Sequence, residues 1–222
     1  MIPRLIHHIW IGAKPIPDIF STYIAQWKAM YPDFNFILWD DELVRSTKVL
    51  TGESADLYHQ PGANIGLKAD LLRFNILERF GGLYVDTDNE PLKRMPAEFF
   101  KNRFFAGYQP NGEIAIGLMG SIPNEILVAG FINAIFKKAE RYYVNGRLIN
   151  LEGKFINEIQ KISGPTSFTE YVDGFLGNAE YAFYESPCFY PYSWTEMHRQ
   201  KENFKQTSPE SYSVHHWAKS WE

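Results

Sequence analysis

Cysteine is nearly absent from this sequence: Cys188 is the one cysteine in 222 residues, which excludes an intrachain disulfide and a Cys-rich zinc site. Long apolar runs are missing as well, since no stretch approaches the roughly 18–20 residues needed to span a bilayer. Positive charge is not in excess, because 22 lysines and arginines face 26 acidic residues and give a net charge of −4. That balance argues against a nucleic-acid-binding protein. The first ten residues contain Pro3 and two histidines and do not resemble a signal peptide, so we expect a cytosolic enzyme.

Aromatic residues are abundant, with 17 Phe, 13 Tyr and 6 Trp making up 16% of the chain. Aromatic faces bind sugar rings and nucleobases because they offer apolar area beside a polar edge. The alternative is an aromatic-rich core. With 45% hydrophobic and 22% charged residues, the composition is globular, and the length suits a single α/β domain.

The hydrophobic pattern alternates between strands and helices along the first half of the chain. It predicts strands at 2–11, 34–39 and 83–86, and helices at 17–30 and 64–80. The second helix has Asn64 as a candidate cap and Gly81-Gly82 as a left-handed stop. Such alternation predicts a mainly parallel α/β sheet, with ligands at the carboxyl ends of the strands.

The second half of the chain has a less regular pattern. It predicts strands at 103–108 and 113–119, helices at 124–143 and at 152–163 with a stop at Gly164-Pro165, an irregular aromatic segment at 181–194, and a terminal segment at 211–221.

Asp86-Thr87-Asp88 follows the third predicted strand directly. Two carboxylates separated by one residue can reach a single Mg²⁺ or Mn²⁺ ion, which then bridges diphosphate oxygens. The spacing alone is weak evidence, because roughly one shuffled sequence in three of this composition contains such a pair. Its place at a strand end makes it the first candidate for a metal site.

Asp70 and Arg73 are three residues apart on the predicted helix 64–80 and therefore share a face. One interpretation is a solvated surface ion pair, which would contribute little. The other is that Asp70 accepts hydrogen bonds from sugar hydroxyls while Arg73 meets phosphate or sugar oxygens.

Aromatic and histidine residues near the two ends of the sequence are further candidates. Trp10 ends the first predicted strand, where its ring can stack on a nucleobase while the backbone at Ile9 and Trp10 reads the base edge, or it can be a core tryptophan. Of His215 and His216, only one should face a site on a strand, and a neutral imidazole can complete a Mn²⁺ shell. Lys219, Ser220 and Trp221 are candidates for holding a diphosphate. The alternative is that the terminal His-His-Trp packs in the core or lies on the surface. His7 and His8 have no carboxylate at local spacing and are predicted to be structural.

Four segments carry a family resemblance: residues 6–12 (IHHIWIG), 68–73 (KADLLR), 81–88 (GGLYVDTD) and 215–221 (HHWAKSW). In this order they resemble glycosyltransferase family 32, which includes fungal initiating α-1,6-mannosyltransferases and bacterial capsule and lipopolysaccharide enzymes. The sequence is more distantly similar to the glucosylating domains of large clostridial toxins. The resemblance covers the first 92 residues and the last dozen.

The resemblance implies a GT-A type, Rossmann-like fold, a nucleotide-sugar donor (a UDP-sugar favoured over a GDP-sugar), Mn²⁺ or Mg²⁺, and retention of anomeric configuration. Carried over, Trp10 stacks on the base, Asp70 and Arg73 hold the donor sugar, and Tyr84 and Asp86 contact sugar or phosphate. Asp88 ligates the metal, with Asp86 beside it and either His215 or His216 as the other ligand, while Ser220 and Trp221 contact the diphosphate. Asp70, Arg73, Asp86 and Asp88 are the implied catalytic set.

The same resemblance organises the chain as one domain, with a donor half at 1–92, an acceptor side at 93–210 and a terminal motif at 211–222. The predicted function is metal-dependent, retaining transfer of a hexose to a glycan acceptor in capsule or lipopolysaccharide synthesis. A non-catalytic nucleotide-sugar or glycan-binding protein, or a nucleotide-sugar hydrolase, is the alternative. We expect a cytoplasmic location, with basic segments at 137–147 and 199–205 as candidates for contact with the inner face of a membrane and a lipid-linked acceptor.

Overall fold

The computed structural model describes residues 1–60, 63–144, 147–148, 156–196 and 208–218. The strands are β1 Leu5–Ile9, β2 Asn35–Trp39, β3 Gly82–Val85, β4 Asn89–Pro91, β5 Phe104–Tyr108, β6 Ile114–Ser121, β7 Tyr143–Val144, β8 Arg147–Leu148, β9 Tyr181–Tyr184 and β10 Ser213–His215. The helices are α1 Asp18–Met30, α2 Asp41–Thr47, α3 Gly52–Tyr58, α4 Ile65–Phe80, α5 Ile126–Ala139, α6 Ile156–Ile162 and α7 Pro165–Val172. Short 3₁₀ turns cover Ala97–Lys101, Glu140–Tyr142, Asp173–Phe175 and Ser186–Cys188.

The main sheet has the strand order β2-β1-β3-β6-β5-β9. Strand β1 pairs in parallel with β2 and with β3, and β9 pairs in parallel with β5. Strand β6 runs antiparallel to both β3 and β5. Parallel pairings therefore dominate, as predicted, but an antiparallel strand stands in the middle of the sheet and interrupts the regular α/β alternation.

Helix α4 lies directly before the strand that leads to the candidate metal site. Asn64 caps it by accepting a hydrogen bond from the Gly66 backbone N–H at 2.7 Å, as predicted. Gly81 ends it with a φ of 61°, where a Cβ would lie 2.8 Å from the Ser121 carbonyl oxygen. Glycine is therefore required for the sharp change of direction into β3.

Two apolar clusters cover the two faces of the sheet. One contains the buried face of α4 with α5 and α7, where the fully buried rings of Phe74, Phe131 and Phe168 contact one another. The other surrounds Trp27 of α1 and Phe105 of β5. The abundant aromatic residues thus fill much of the core, and fully buried rings of this size contribute the largest apolar areas to folding.

Several element bounds differ from the sequence-based prediction. Helices α2, α3 and α7 were not predicted, and β1 is shorter than residues 2–11. The predicted stop at Gly164-Pro165 also begins a helix, because Gly164 is the N-cap of α7 and Pro165 occupies its first turn. The start of the predicted helix 152–163 and the basic segment 199–205 lie outside the described residues.

Among the helices that the structure describes, none combines the length and the apolar character that a membrane span requires.

Candidate active site

A cavity of about 660 Å³ opens beyond the carboxyl ends of β1 and β3. Its walls come from the loop after β1, the N-terminal half of α4, the loop after β3, strand β6, the corner between α6 and α7, and the chain around β10. This edge of the sheet is the position predicted for a ligand site. The predicted residues that line it are Ile9, Trp10, Asp70, Arg73, Tyr84, Asp86, Asp88 and His215.

Asp86, Asp88 and His215 converge in this cavity. The Nε2 atom of His215 lies 3.3 Å from Asp86 Oδ2 and 3.3 Å from Asp88 Oδ1, and one ligand atom from each of the three residues lies within 4.8 Å of the others. Burial opposes protonation of His215, but the Asp88 and Asp86 carboxylates outweigh it and raise its pKa. The two carboxylates therefore favour positive charge between them.

Strand pairing brings these residues together across more than 120 positions of sequence. Strand β10 pairs antiparallel with β4, with His215 opposite Asn89. The backbone N–H of Ala218 donates to Asp88 Oδ2 at 2.8 Å, and that of His216 donates to the Asp88 carbonyl oxygen at 3.1 Å. The terminal segment thus fixes the loop after β3 rather than extending the main sheet.

The donor set fits a divalent cation. Two carboxylates and one imidazole match the oxygen and nitrogen ligands that Mn²⁺ prefers, and carboxylates alone suit Mg²⁺. The space beside them also depends on Gly117 of β6, because a Cβ there would lie 2.6 Å from Asp86 Oδ2. Any residue larger than glycine at position 117 would therefore fill the space beside the Asp86 carboxylate.

Arg73 lies between Asp70 and the metal-type cluster, which is the group of Asp86, Asp88 and His215. Its guanidinium lies 3.1 Å from Asp70 Oδ1 and 3.3 Å from Asp86 Oδ1, and it donates to the Ile116 carbonyl oxygen at 2.9 Å. Asp70 and Arg73 are each 7% exposed, so the pair is buried rather than a solvated surface pair. Burial opposes ionisation of Asp86, but Arg73, His215 and Tyr84 together lower the pKa of that carboxyl.

Asp70 and Tyr84 complete the buried polar wall. Burial raises the pKa of Asp70 to about 6, against the opposing effects of Arg73 and of the Ser163 hydroxyl. The Tyr84 hydroxyl donates to Asp86 Oδ1 at 2.6 Å, and its ring lies under the Arg73 guanidinium. Burial raises the pKa of Tyr84 well above its ordinary value, so the phenol remains a hydrogen-bond donor.

Trp10 lines the cavity from the loop after β1. Trp10 is half-buried, and its ring packs edge-on against Phe20 with the ring centroids 6.0 Å apart. Its indole N–H donates to the Lys14 carbonyl oxygen at 2.8 Å. The next turn is fixed by the Gly12 backbone N–H, which donates to Asp41 Oδ2 at 2.7 Å. Ile9 and Trp10 thus line the cavity, and their contact with a nucleobase stays a prediction.

The adjacent histidines face different surroundings, as predicted. His216 stacks on Tyr23 with the ring centroids 5.1 Å apart. Its Nε2 atom lies 3.1 Å from Glu90 Oε2, and its Nδ1 atom lies 3.2 Å from the Tyr192 hydroxyl oxygen. The structure therefore brings His215, and not His216, to the Asp86 and Asp88 carboxylates. The predicted diphosphate residues Lys219, Ser220 and Trp221 lie outside the described residues.

His7 and His8 are structural, in agreement with the sequence-based interpretation. Their rings reach the Gly81 carbonyl oxygen at 2.9 Å and the Val85 carbonyl oxygen at 2.8 Å. Burial lowers the pKa of each to about 4, so both rings are neutral near pH 7.

Sequence reasoning missed Gly117 and Ser163, which belong to the cavity wall or support it, whereas Trp217, another residue of the wall, lies in the segment 215–221 that the sequence had singled out. A glycine inside an apolar strand signals a close approach, so Gly117 had a usable signal. Ser163 had none, because its partner is 93 positions away in sequence.

Comparison with known proteins is consistent with this geometry. Residues 17–106 match the family model for a glycosyltransferase sugar-binding region containing a DXD motif. Inositol phosphoceramide mannosyltransferase 2 of Schizosaccharomyces pombe is 23% identical over 205 residues, covering 89% of this chain and 59% of that protein. Mannosyl phosphorylinositol ceramide synthase CSH1 of Saccharomyces cerevisiae is 25% identical over 154 residues, covering 65% and 38%. The chain thus spans less than two thirds of either fungal relative.

A viral relative and several solved structures extend the comparison. The uncharacterized glycosyltransferase L373 of Acanthamoeba polyphaga mimivirus is 26% identical over 217 residues, covering 94% of this chain and 85% of that protein. The catalytic domain of alpha-toxin from Clostridium novyi superposes with a TM-score of 0.58 at 12% identity, covering 77% and 72%. The UDP-bound glycosyltransferase domain of the YGT toxin superposes with a TM-score of 0.55 at 12% identity, covering 82% and 79%. The predicted GT-A type fold and the predicted resemblance are therefore confirmed.

Proposed function

We propose that this chain, a glycosyltransferase with a DXD sugar-binding region on a GT-A fold, catalyses metal-dependent, retaining transfer of a hexose from a nucleotide-sugar to a glycan acceptor. One observation carries the proposal. The Asp86, Asp88 and His215 cluster and the buried Asp70–Arg73 pair share one wall of one cavity, joined by the Arg73 guanidinium. A cation site for a diphosphate thus adjoins a carboxylate suited to sugar hydroxyls.

The metal would be held by Asp88 and His215, with Asp86 beside them. When bound, it neutralises the charge that builds on the departing diphosphate. The described histidine geometry favours His215 for this role, because His216 faces Glu90 and Tyr192. Mn²⁺ is favoured over Mg²⁺ by the imidazole nitrogen in the donor set.

The organic part of the donor is held by this chain's own residues. Trp10 stacks on the base, and the backbone at Ile9 and Trp10 reads the base edge. Asp70 accepts hydrogen bonds from the sugar, and Arg73 presents positive charge to sugar or phosphate oxygens while keeping Asp86 ionised. Tyr84 fixes Asp86 and stays protonated. Ser220 and Trp221 complete the set as diphosphate contacts.

Transfer proceeds on one face of the sugar. The bond from the anomeric carbon to the diphosphate oxygen breaks, the acceptor oxygen forms its bond from the same side, and the acceptor proton passes to a donor phosphate oxygen. Retention then needs no protein nucleophile. The described carboxylates nearest the cluster have other partners, since Asp70 and Asp86 are both engaged by Arg73. An isolable glycosyl-enzyme adduct would contradict this mechanism.

The donor nucleotide is proposed to be UDP rather than GDP, supported by the UDP-bound glycosyltransferase domain of the YGT toxin, which shares this fold. For the acceptor, a capsule or lipopolysaccharide glycan stays our prediction from the sequence. The names of the fungal relatives add a second candidate, an inositol-phosphate-bearing ceramide. A lipid-linked acceptor met by a cytoplasmic enzyme at the inner face of a membrane stays part of the prediction from the sequence.

Calorimetry tests the donor site directly. UDP and GDP are titrated with and without Mn²⁺ into the wild type, Asp88→Ala and His215→Ala. We expect one nucleotide to bind in a Mn²⁺-dependent manner and each variant to weaken that binding by at least about 100-fold, because each removes one of the metal-type ligands.

His216→Ala is the matched control, since it removes the neighbouring imidazole but no atom of the cluster. It is expected to keep Mn²⁺-dependent binding within about threefold of the wild type, because its contacts lie with Tyr23, Glu90 and Tyr192. Folded protein that binds neither nucleotide would reject the proposal.

Product analysis separates the three interpretations of this chain, namely a transferase, a hydrolase and a non-catalytic binding protein. UDP-glucose, UDP-galactose and GDP-mannose are incubated with Mn²⁺, with and without methyl α-glycosides as acceptors. Disaccharide formation supports a transferase, free sugar without an acceptor product indicates a hydrolase, and binding without turnover indicates a non-catalytic binding protein.

A further inference from the structure

Ser163 reaches the donor-sugar carboxylate from the far half of the chain. Its hydroxyl donates to Asp70 Oδ2 at 2.8 Å. Ser163 is fully buried and Asp70 is 7% exposed, so water does not compete freely for this hydrogen bond. Ser163 follows the last residue of α6 directly, which makes this contact a link from the acceptor-side region to helix α4.

The Asp70 carboxylate is held at both oxygens. Arg73 occupies Oδ1 at 3.1 Å and Ser163 occupies Oδ2 at 2.8 Å. Each carboxylate oxygen accepts about two hydrogen bonds, so one acceptor direction remains on each. Because Asp70 lines the cavity, these remaining directions are available to two neighbouring hydroxyl groups of a ligand.

We infer that Ser163 is a positioning residue for the donor sugar, which fixes the Asp70 carboxylate so that it accepts from a pair of adjacent hexose hydroxyls; this inference rests on the proposed function. With Ser163 absent, Oδ2 keeps no protein hydrogen bond among the described contacts and the carboxylate can turn about its last bond. Arg73 alone then holds it through Oδ1.

The contact is not an ordinary helix-end hydrogen bond. The Ser163 oxygen also lies 3.4 Å from the Ile159 carbonyl oxygen, but its single proton favours the nearer, charged acceptor. Ser167, four positions later, does not reach Asp70: its hydroxyl donates to the Ile162 carbonyl oxygen at 2.9 Å and accepts from the Lys138 ammonium at 2.9 Å. Both serines are fully buried, which makes Ser167 a matched control.

The surrounding corner supports the same assignment. Four residues around Ser163 line the cavity: Ile159, Gln160, Gly164 and Pro165. Gly164 has no room for a side chain, because a Cβ would lie 2.7 Å from the Gln160 Cα. The corner between α6 and α7 is thus a tight wall of the cavity, and Ser163 is its contact with Asp70.

The test separates binding of the sugar from binding of the nucleotide. Dissociation constants for UDP and UDP-glucose, and for GDP and GDP-mannose, are measured with Mn²⁺ on the full chain without acceptor. The sugar increment is the ratio of the nucleotide constant to the nucleotide-sugar constant. Ser163→Ala should reduce that increment by about 10- to 100-fold, the range that corresponds to one hydrogen bond to a charged group, with the affinity for free nucleotide unchanged.

Ser167→Ala should leave both constants at the wild-type value. If Ser163→Ala does not fold, Ser163→Cys provides the test, because it keeps the side-chain shape and replaces the hydroxyl with a weak S–H donor. It should lose most of the increment as well. An intact increment in a folded Ser163 variant, or an equal loss for nucleotide and nucleotide-sugar, overturns the inference.

The wild type alone distinguishes this failure from failure of the proposed function. Nucleotide binding without any sugar increment overturns the role of Ser163 and Asp70 and leaves the donor-nucleotide site in place. No Mn²⁺-dependent binding of any of the four compounds overturns the proposed function, and this inference falls with it.

Discussion

The substitution Gly117→Ala tests whether the space beside Asp86 is required for the metal-type site. A Cβ at this position would lie 2.6 Å from Asp86 Oδ2 and 3.3 Å from the Cδ2 and Nε2 atoms of His215. Ordinary van der Waals contact begins near 3.4 Å, so the carboxylate must move by about 0.8 Å. Asp86 cannot yield freely, because Arg73 and Tyr84 hold its other oxygen.

The displacement should therefore appear in metal affinity and in catalysis. A misplacement near 1 Å costs on the order of 100-fold in rate, and disturbed ligand support costs about 10- to 100-fold in metal affinity. We expect Gly117→Ala to weaken Mn²⁺ binding by about 10-fold or more and to lower kcat/KM by about 30- to 100-fold. The overpacking should also lower the free energy of unfolding by about 1–3 kcal/mol.

Gly107→Ala is the control matched in overlap. Its Cβ would lie 2.7 Å from Phe189 Cδ2, on an apolar ring rather than on a ligand atom. It should cost similar stability and leave Mn²⁺ affinity unchanged, as measured by electron paramagnetic resonance of free Mn²⁺ beside thermal unfolding. Wild-type Mn²⁺ affinity in folded Gly117→Ala would refute the reasoning, as would equal losses of affinity in both variants.

Two further predictions concern charge in the core. The His7 pKa is lowered to about 4 by burial, so the unfolded chain binds a proton below pH 6.5 that the folded chain rejects, and stability falls from pH 6.5 towards pH 4. His7→Gln keeps a donor for the Gly81 carbonyl oxygen and should remove up to about 3 kcal/mol of that pH dependence, as measured by urea titrations at several pH values. An equal pH dependence of the free energy of unfolding in the variant and the wild type would contradict this prediction. Arg73→Lys loses the guanidinium fork that spans the Asp70 and Asp86 carboxylates and should lower kcat at least about 100-fold. Arg79→Lys on the same helix should leave kcat unchanged. Equal kcat values for the two variants would refute this prediction.

Local sequence signals predicted the elements that place the donor side of the cavity. The two ends of helix α4 could be predicted from Asn64 and Gly81. A capping side chain and a glycine that adopts a positive φ are both local features, which the sequence shows directly. The position of Asp86 and Asp88 at the end of a buried strand followed from the apolar run before them. The family resemblance then identified the fold, which the structural comparison confirmed.

The missed features depend on contacts between distant segments. The antiparallel insertion of β6 between β3 and β5 has no local signature, since a strand's direction is decided by its partners. The role of Gly117 follows from that pairing. Helices α2 and α3 are seven residues each, short enough that packing rather than intrinsic helix propensity must stabilise them.

The sequence by itself determined which residue types were available for chemistry, their spacing, and the strand ends on which Asp86, Asp88 and Trp10 lie. Only the tertiary structure decided which of two adjacent histidines meets the carboxylates, because the pairing of β10 with β4 sets the face of each side chain. It also decided that Ser163 reaches Asp70 across 93 positions. Both choices depend on the register and packing of segments far apart in the chain, and neither leaves a local trace in the sequence.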